Sequence, residues 1–60
     1  MKAYTNPDGT HTIHISSTNG ESAPTGTVEG NIDVAQGDNC VDDDTQVVKV
    51  FNGSSWVSWS

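Results

Sequence analysis

The chain has 60 residues, enough for one domain, and its strong core formers are few: three Ile, seven Val and one Phe, with no Leu. A share this low, combined with a formal net charge of −6, is typical of chains that do not fold alone. Two lysines against eight carboxylates also exclude nucleic acid and anionic membranes as partners, because a surface that tracks phosphates must be basic.

The N-terminal part of the chain predicts a turn followed by a strand. Residues 1–9 form an N-terminal segment that ends in Asn-Pro-Asp-Gly, where Pro presets φ and Gly supplies a positive φ. Residues 10–16 then alternate, so that His11, Ile13 and Ile15 point to one side. We expect a half-buried strand there.

The middle of the chain is poor in apolar residues. Residues 17–30 are rich in Ser, Thr, Gly and Pro, and they are too many for a free loop in so small a chain. We therefore expect an extended arm or loop that lies on a neighbouring subunit. A turn at residues 29–31 leads into a short second strand within residues 31–34. Residues 36–44 form an acidic connection.

The last sixteen residues carry the clearest signal, a β-hairpin. The β-prone run 45–51 is followed by Asn52-Gly53, which favours a two-residue type I′ turn with positive φ at both positions. Such a turn places Phe51 opposite Ser54 and fixes the register of the hairpin. Lys49 then lies opposite Trp56.

Both faces of this hairpin are substantially apolar. One face carries Val48, Val50, Val57 and Trp59, and the other carries Val47, Phe51 and Trp56. A small domain does not easily cover both faces, and an exposed cluster with Phe and Trp marks a contact site; the alternative is that the chain's own strands cover them. The predicted protein-interface residues are Phe51, Trp56, Val57 and Trp59, with Ile13 and Ile15 as second choice.

Small scaffolds are usually stabilised by disulfides, a metal or oligomerisation. Cys40 is the only cysteine, so the chain forms no internal disulfide, and we expect a buried thiol. The predicted fold is therefore all-β: a small antiparallel sheet or hairpin assembly with extended loops, completed by oligomerisation or docking on partner subunits. Residues 1–60 form a single domain, in which residues 31–59 are a β-module ending in the hairpin.

The sequence offers little reactive chemistry. His11 and His14 are three residues apart on a strand, so they lie on opposite faces and do not share a metal ion. The acidic run 42–44 lacks the pattern of a calcium loop and is interpreted as solvated, with an adventitious cation between subunits as the alternative. No nucleophile stands beside an oxyanion hole. We predict a non-enzyme with no cofactor and no metal site.

Two stretches resemble a recurrent β-module of tailed-bacteriophage virion proteins. Residues 24–32 match its Pro/Gly-rich lead-in and its E-G-(D/N)-I turn, and residues 48–57 match its K-V-(Y/F)-N-G-x-x-W-V hairpin. The resemblance covers 36 of the 60 residues, from 24 to 59. The chain departs from the module at residues 33–34, where an aromatic is usual, and in its acidic connection.

The resemblance implies a non-enzymatic virion structural protein, most simply a capsid decoration, cement or head-associated subunit that stabilises an assembled shell. Its partners would be other virion proteins such as the major capsid protein, and it would be a homo-oligomer such as a trimer. No apolar run suits a secretory signal or a membrane span, so we expect synthesis in the host cytoplasm. The alternatives are a tail, baseplate or fibre component, or a carbohydrate- or receptor-binding module that uses Trp56.

Overall fold

The structure, a computed structural model, describes residues 1–29 and 31–59. It confirms the all-β prediction, with a five-stranded sheet, a separate two-stranded hairpin, a 3-10 turn at Ser17–Asn19 and no α-helix in the described residues. The strands are β1 (Lys2–Thr5), β2 (His11–Ile15), β3 (Thr27–Val28), β4 (Ile32–Asp33), β5 (Asn39–Asp42), β6 (Val48–Phe51) and β7 (Trp56–Ser58).

The large sheet is mixed, so the prediction of an antiparallel sheet is wrong at its centre. Its strand order is β1-β2-β5-β6-β7, and β2 runs parallel to β5 while the other pairs are antiparallel. A parallel pair needs a long connection, and residues 16–38 provide it as a crossover. The predicted acidic connection 36–44 in fact contains β5, the central strand.

The predicted first strand and its turn are confirmed. Gly9 N donates to Asn6 O at 3.0 Å and Asn6 N donates to Thr10 O at 2.7 Å, which joins β1 and β2 as a hairpin. The side chain of Asp8 accepts from Thr10 N at 2.9 Å. The sequence did not predict β1, because the residues of this strand show no apolar alternation. In the structure only Ala3 of β1 is partly buried.

The C-terminal hairpin is confirmed, but its predicted register is wrong by two residues. Phe51 faces Trp56, and Lys49 faces Ser58. Gly53 has a φ of +102° whereas Asn52 has no positive φ, so the type I′ turn does not form. Asn52 Oδ1 instead accepts the amides of the two following serines at 2.9 Å each, and the connection has four residues. A shift of two keeps every side chain on its predicted face.

The crossover covers one face of the large sheet, which we call the packed face. Val28 of β3 joins Ile13, Ile15 and Cys40 in a buried cluster, and Ala3, Ala23, Ile32, Val34 and Trp56 pack around it. Trp56 Nε1 donates to Pro24 O at 2.6 Å and ties the crossover to β7. Residues 17–29 therefore lie on the chain's own sheet rather than on a neighbour as predicted, and Gly30 lies outside the described residues.

A buried carboxyl group joins the crossover to the sheet. Asp38 is 1% exposed, and it accepts hydrogen bonds from His11 N at 2.9 Å and from Ala35 N at 3.0 Å. Its second oxygen also lies 3.2 Å from His11 Nδ1, and its carbonyl accepts from Phe51 N at 2.8 Å. Asp38 therefore links β2, the end of the crossover and β6. Its predicted place in a solvated acidic loop is wrong.

Candidate functional site

The second face of the five-stranded sheet is left uncovered by the described residues; we call it the open face. Since Ile13, Ala3 and Cys40 align on the packed face, their strand neighbours point the other way. None of these neighbours belongs to the buried cluster. The open face comprises Lys2, Tyr4, Thr12, His14, Asn39, Val41, Val48, Val50, Val57 and Trp59.

The open face is apolar along one side. Val41, Val48 and Val50 are half-buried there by their strand neighbours, while Val57 is 39% and Trp59 63% exposed. The five strands have three to five residues each, so strands about 4.8 Å apart with about 3.3 Å per residue give a face of roughly 320 Å² in projection. About half of this face is apolar, and an exposed apolar cluster that includes a Trp is a candidate contact site.

Charged groups are nearly absent from the open face, although the chain carries eight carboxylates. Only Asp43 reaches it, at the margin, where Asp43 Oδ1 lies 2.8 Å from His14 Nδ1. The ring of Tyr4 stands edge-on to His14 with centroids 5.6 Å apart. Lys2 is the one cation on this face. The open face thus combines an apolar side with a polar side and carries few charged groups.

The predicted interface residues divide between the two faces. Ile13, Ile15 and Phe51 are buried on the packed face, so they hold the core and present nothing to a partner in this fold. Trp56 is half-buried on the same face, and its ring stands at 64° to that of Phe51 with centroids 5.1 Å apart. The predicted sugar-stacking surface of Trp56 is thus occupied by the chain itself. Of the six predicted residues, Val57 and Trp59 lie exposed on the open face.

Sequence reasoning missed Tyr4 and Val41 as members of the open face. Tyr4 lies on β1 and is 51% exposed, and Val41 lies on β5 beside Val48. Neither strand was predicted, so these residues had no assigned face.

A cleft of about 290 Å³ is the other candidate site, on the packed face. Its lining includes Ile15, Cys40, Glu21, Asp42 and Lys49. Burial raises the pKa of the Cys40 thiol, which keeps it protonated and unreactive, as expected for a buried cysteine. Both carboxylates already accept backbone amides, and neither histidine lines the cleft. Nothing among the lining residues activates a nucleophile, so the open face is the better candidate.

The acidic run 42–44 holds the start of the crossover. Asp44 accepts hydrogen bonds from the hydroxyls of Ser16 and Thr18, at 2.5 and 2.6 Å, and from Thr18 N at 3.0 Å. The hydroxyl of Ser16, followed by that of Thr18, lowers the pKa of Asp44. Asp44 is exposed, as predicted for a solvated acidic run, and it also fixes the start of the crossover through these hydrogen bonds.

No protein-family model, curated protein or solved structure matches this chain. The residues that the structure describes include no helix long and apolar enough to cross a membrane. Function must therefore be argued from the geometry of the open face and from the sequence.

Proposed function

We propose that this protein is a non-enzymatic structural subunit that docks on another protein through its open face. One observation carries the proposal: the crossover covers a single side of the sheet, and Tyr4, Val57 and Trp59 stand exposed on the other. Sheets are stable when an apolar face is buried against a second layer. Residues 1–29 and 31–59 supply no such layer on the open face.

The energetics favour docking on an assembled lattice over binding to a free partner. If about half of roughly 320 Å² is apolar surface, its burial yields about 4 kcal/mol at 25 cal/mol/Å². Association costs at least about 4 kcal/mol, so a single open face binds weakly. Many copies bound side by side on one surface gain effective concentration. A subunit that binds only the assembled state stabilises that state by mass action.

The sequence resemblance supports a virion as that lattice. Residues 24–32 and 48–57 resemble the phage β-module, and the open face includes the three valines of its hairpin. The proposal is a capsid decoration or cement subunit whose partner is a shell protein such as the major capsid protein. A tail, baseplate or fibre location follows from the same resemblance and is distinguished by copy number.

The test combines copy number with surface variants. Quantitative mass spectrometry of purified virions should find this chain in hundreds of copies for a shell location and in a handful for a tail location. A Val57→Lys/Trp59→Lys double variant should lose at least about tenfold in incorporation, since two buried ammonium groups oppose docking. Val47→Lys is the matched control, because Val47 is 48% exposed but lies off the open face.

Two results would contradict the proposal. If the chain is absent from virions, the virion assignment fails. If the double variant is incorporated as well as Val47→Lys, the open face is not the docking surface. Circular dichroism of all three proteins shows whether the variants keep the β fold, so that a loss of incorporation is not a loss of folding.

A further inference from the structure

The two edge strands of the five-stranded sheet differ in whether a side chain contacts their outward backbone groups. β1 and β7 are the edge strands. The bond from Asn6 N to Thr10 O sets the alternation on β1, so the amides of Ala3 and Thr5 point away from β2. Glu29 Oε1 accepts the Ala3 amide at 2.9 Å. The β1 edge is therefore capped by the chain's own carboxylate.

An unusual backbone conformation holds Glu29 at this edge. Glu29 has a φ of +53°, a region that residues other than glycine rarely adopt. The turn around it is closed by a hydrogen bond of 3.2 Å from Asn31 N to Val28 O. Charged side chains at sheet edges prevent pairing with other chains. The strained turn thus positions the Glu29 carboxylate on the β1 edge, where it opposes pairing with another chain.

In the described residues no charged side chain contacts the outward backbone groups of β7. Bonds from Asn52 N to Ser55 O and from Trp59 N to Val48 O set the alternation there. The amides and carbonyls of Trp56 and Ser58 therefore point away from β6. No strand among residues 1–29 and 31–59 pairs with this edge, and β7 carries no charged side chain.

We propose that two copies of this chain pair through their β7 strands, antiparallel, to form one continuous sheet across a two-fold axis. Pairing of β7 with β1 of another copy would be a head-to-tail contact that leaves a free edge on each end of the pair, and the Glu29 carboxylate on the Ala3 amide blocks it. The remaining open edge is the same strand on each copy, and pairing of identical edges closes after two subunits.

The pairing has one natural register, centred on Val57. In that register Trp56 of one copy faces Ser58 of the other, and the outward groups of these two residues form four backbone hydrogen bonds. The two Val57 side chains meet on the open face. The dimer therefore places two open faces side by side. The proposed dimer does not depend on the proposed docking function, because the β7 edge and the open face are different surfaces of the sheet.

Three strand residues give a small contact, so the dimer is weak and depends on concentration. Sedimentation velocity from about 10 µM to about 1 mM should show a monomer that converts to a dimer. Ser58→Pro should keep the protein monomeric, because proline removes an outward amide that β6 does not use. Thr5→Pro is the matched control on the capped edge and should leave the dimer intact.

Glu29→Ala tests the cap directly. Without the carboxylate, the β1 edge is free to pair, and species larger than a dimer should appear at the same concentrations. A sample that stays monomeric throughout, or a dimer that persists in Ser58→Pro, overturns the proposal. Unchanged oligomeric state in Glu29→Ala overturns the role of the cap.

A second measurement covers the case in which Ser58→Pro fails to fold. Amide hydrogen exchange of the unmodified chain should slow at least about fivefold at Trp56 and Ser58 between dilute and concentrated samples. The Thr5 amide, which points outward on the other edge, should not change. Equal exchange at both concentrations for Trp56 and Ser58 overturns the β7 dimer.

Discussion

Replacement of Asp38 by alanine should remove most of the stability of this chain. Asp38 is 1% exposed, and its carboxyl group accepts the amides of His11 and Ala35 at 2.9 and 3.0 Å. No other group is placed to accept these amides once the side chain is truncated. The crossover would then lose its main connection to β2.

The magnitude follows from the two amides left without acceptors. Both hydrogen bonds are partly buried, and an amide that loses its acceptor costs up to about 3 kcal/mol, so Asp38→Ala should destabilise by about 2–6 kcal/mol. A domain of this length has roughly 3–9 kcal/mol in total. Each kcal/mol lowers Tm by about 4–8 °C in a domain of this size, which gives a fall of at least about 8 °C.

Urea and thermal unfolding followed by circular dichroism measure this effect. Asp33→Ala is the matched control, because it removes the same charge from an exposed carboxylate that accepts the Thr27 hydroxyl at 2.8 Å. The control should lose no more than about 1 kcal/mol. If the Asp38 and Asp33 variants unfold within about 0.5 kcal/mol of each other, Asp38 does not hold the crossover.

Three further predictions follow from single contacts. The pKa of Asp44 in the folded chain lies below its ordinary value of 3.8. The ionised carboxylate therefore stabilises the fold above pH 3.8, and this stabilisation is lost as the pH falls through the lowered pKa. Asp44→Asn should remove this part of the loss of stability in acid, which is measured as the urea midpoint at a series of pH values. Asn39 Oδ1 is buried without a hydrogen-bond partner, and Asn39→Val should raise the free energy of unfolding by about 1 kcal/mol; an equal or lower urea midpoint would contradict this. Trp56→Phe removes the indole bond to the crossover and should cost about 1 kcal/mol, whereas Trp59→Phe should cost nothing measurable; equal urea midpoints for the two would refute it.

Period-two alternation predicted which side chains share a face, even where the turn was misjudged. Ile13 and Ile15 align as expected, and Val48, Val50 and Val57 share a face although the register moved by two. This robustness is physical, since a shift of two residues preserves the side of every side chain. The turn type failed because the Asn52 side chain, which accepts two amides, stabilises a wider connection.

The central strand β5 was not predictable from its own residues. Asn39, Cys40, Val41 and Asp42 stand between acidic neighbours, and the segment resembles a solvated loop in isolation. Its strand conformation depends on pairing with β2, 27 positions away for Thr12 and Asn39. The role of Asp38 is equally non-local, since it accepts the amide of His11. Contacts between distant residues decide these features, and local propensity does not report them.

The distribution of valines connects the shortage of core residues with the proposed function. Four of the seven, Val41, Val48, Val50 and Val57, lie on the open face, and Val28 alone joins the buried cluster. The crossover is held instead by polar contacts of Asp38, Asp44 and Glu29. Such contacts add little net stability when they form, because each replaces a hydrogen bond to water, although removing one partner of a formed contact is costly. The chain thus keeps much of its apolar surface on the open face, and the proposed docking there would supply stabilisation that the core lacks. The urea midpoint should therefore rise when the open face is occupied and should be insensitive to that partner in the Val57→Lys/Trp59→Lys variant.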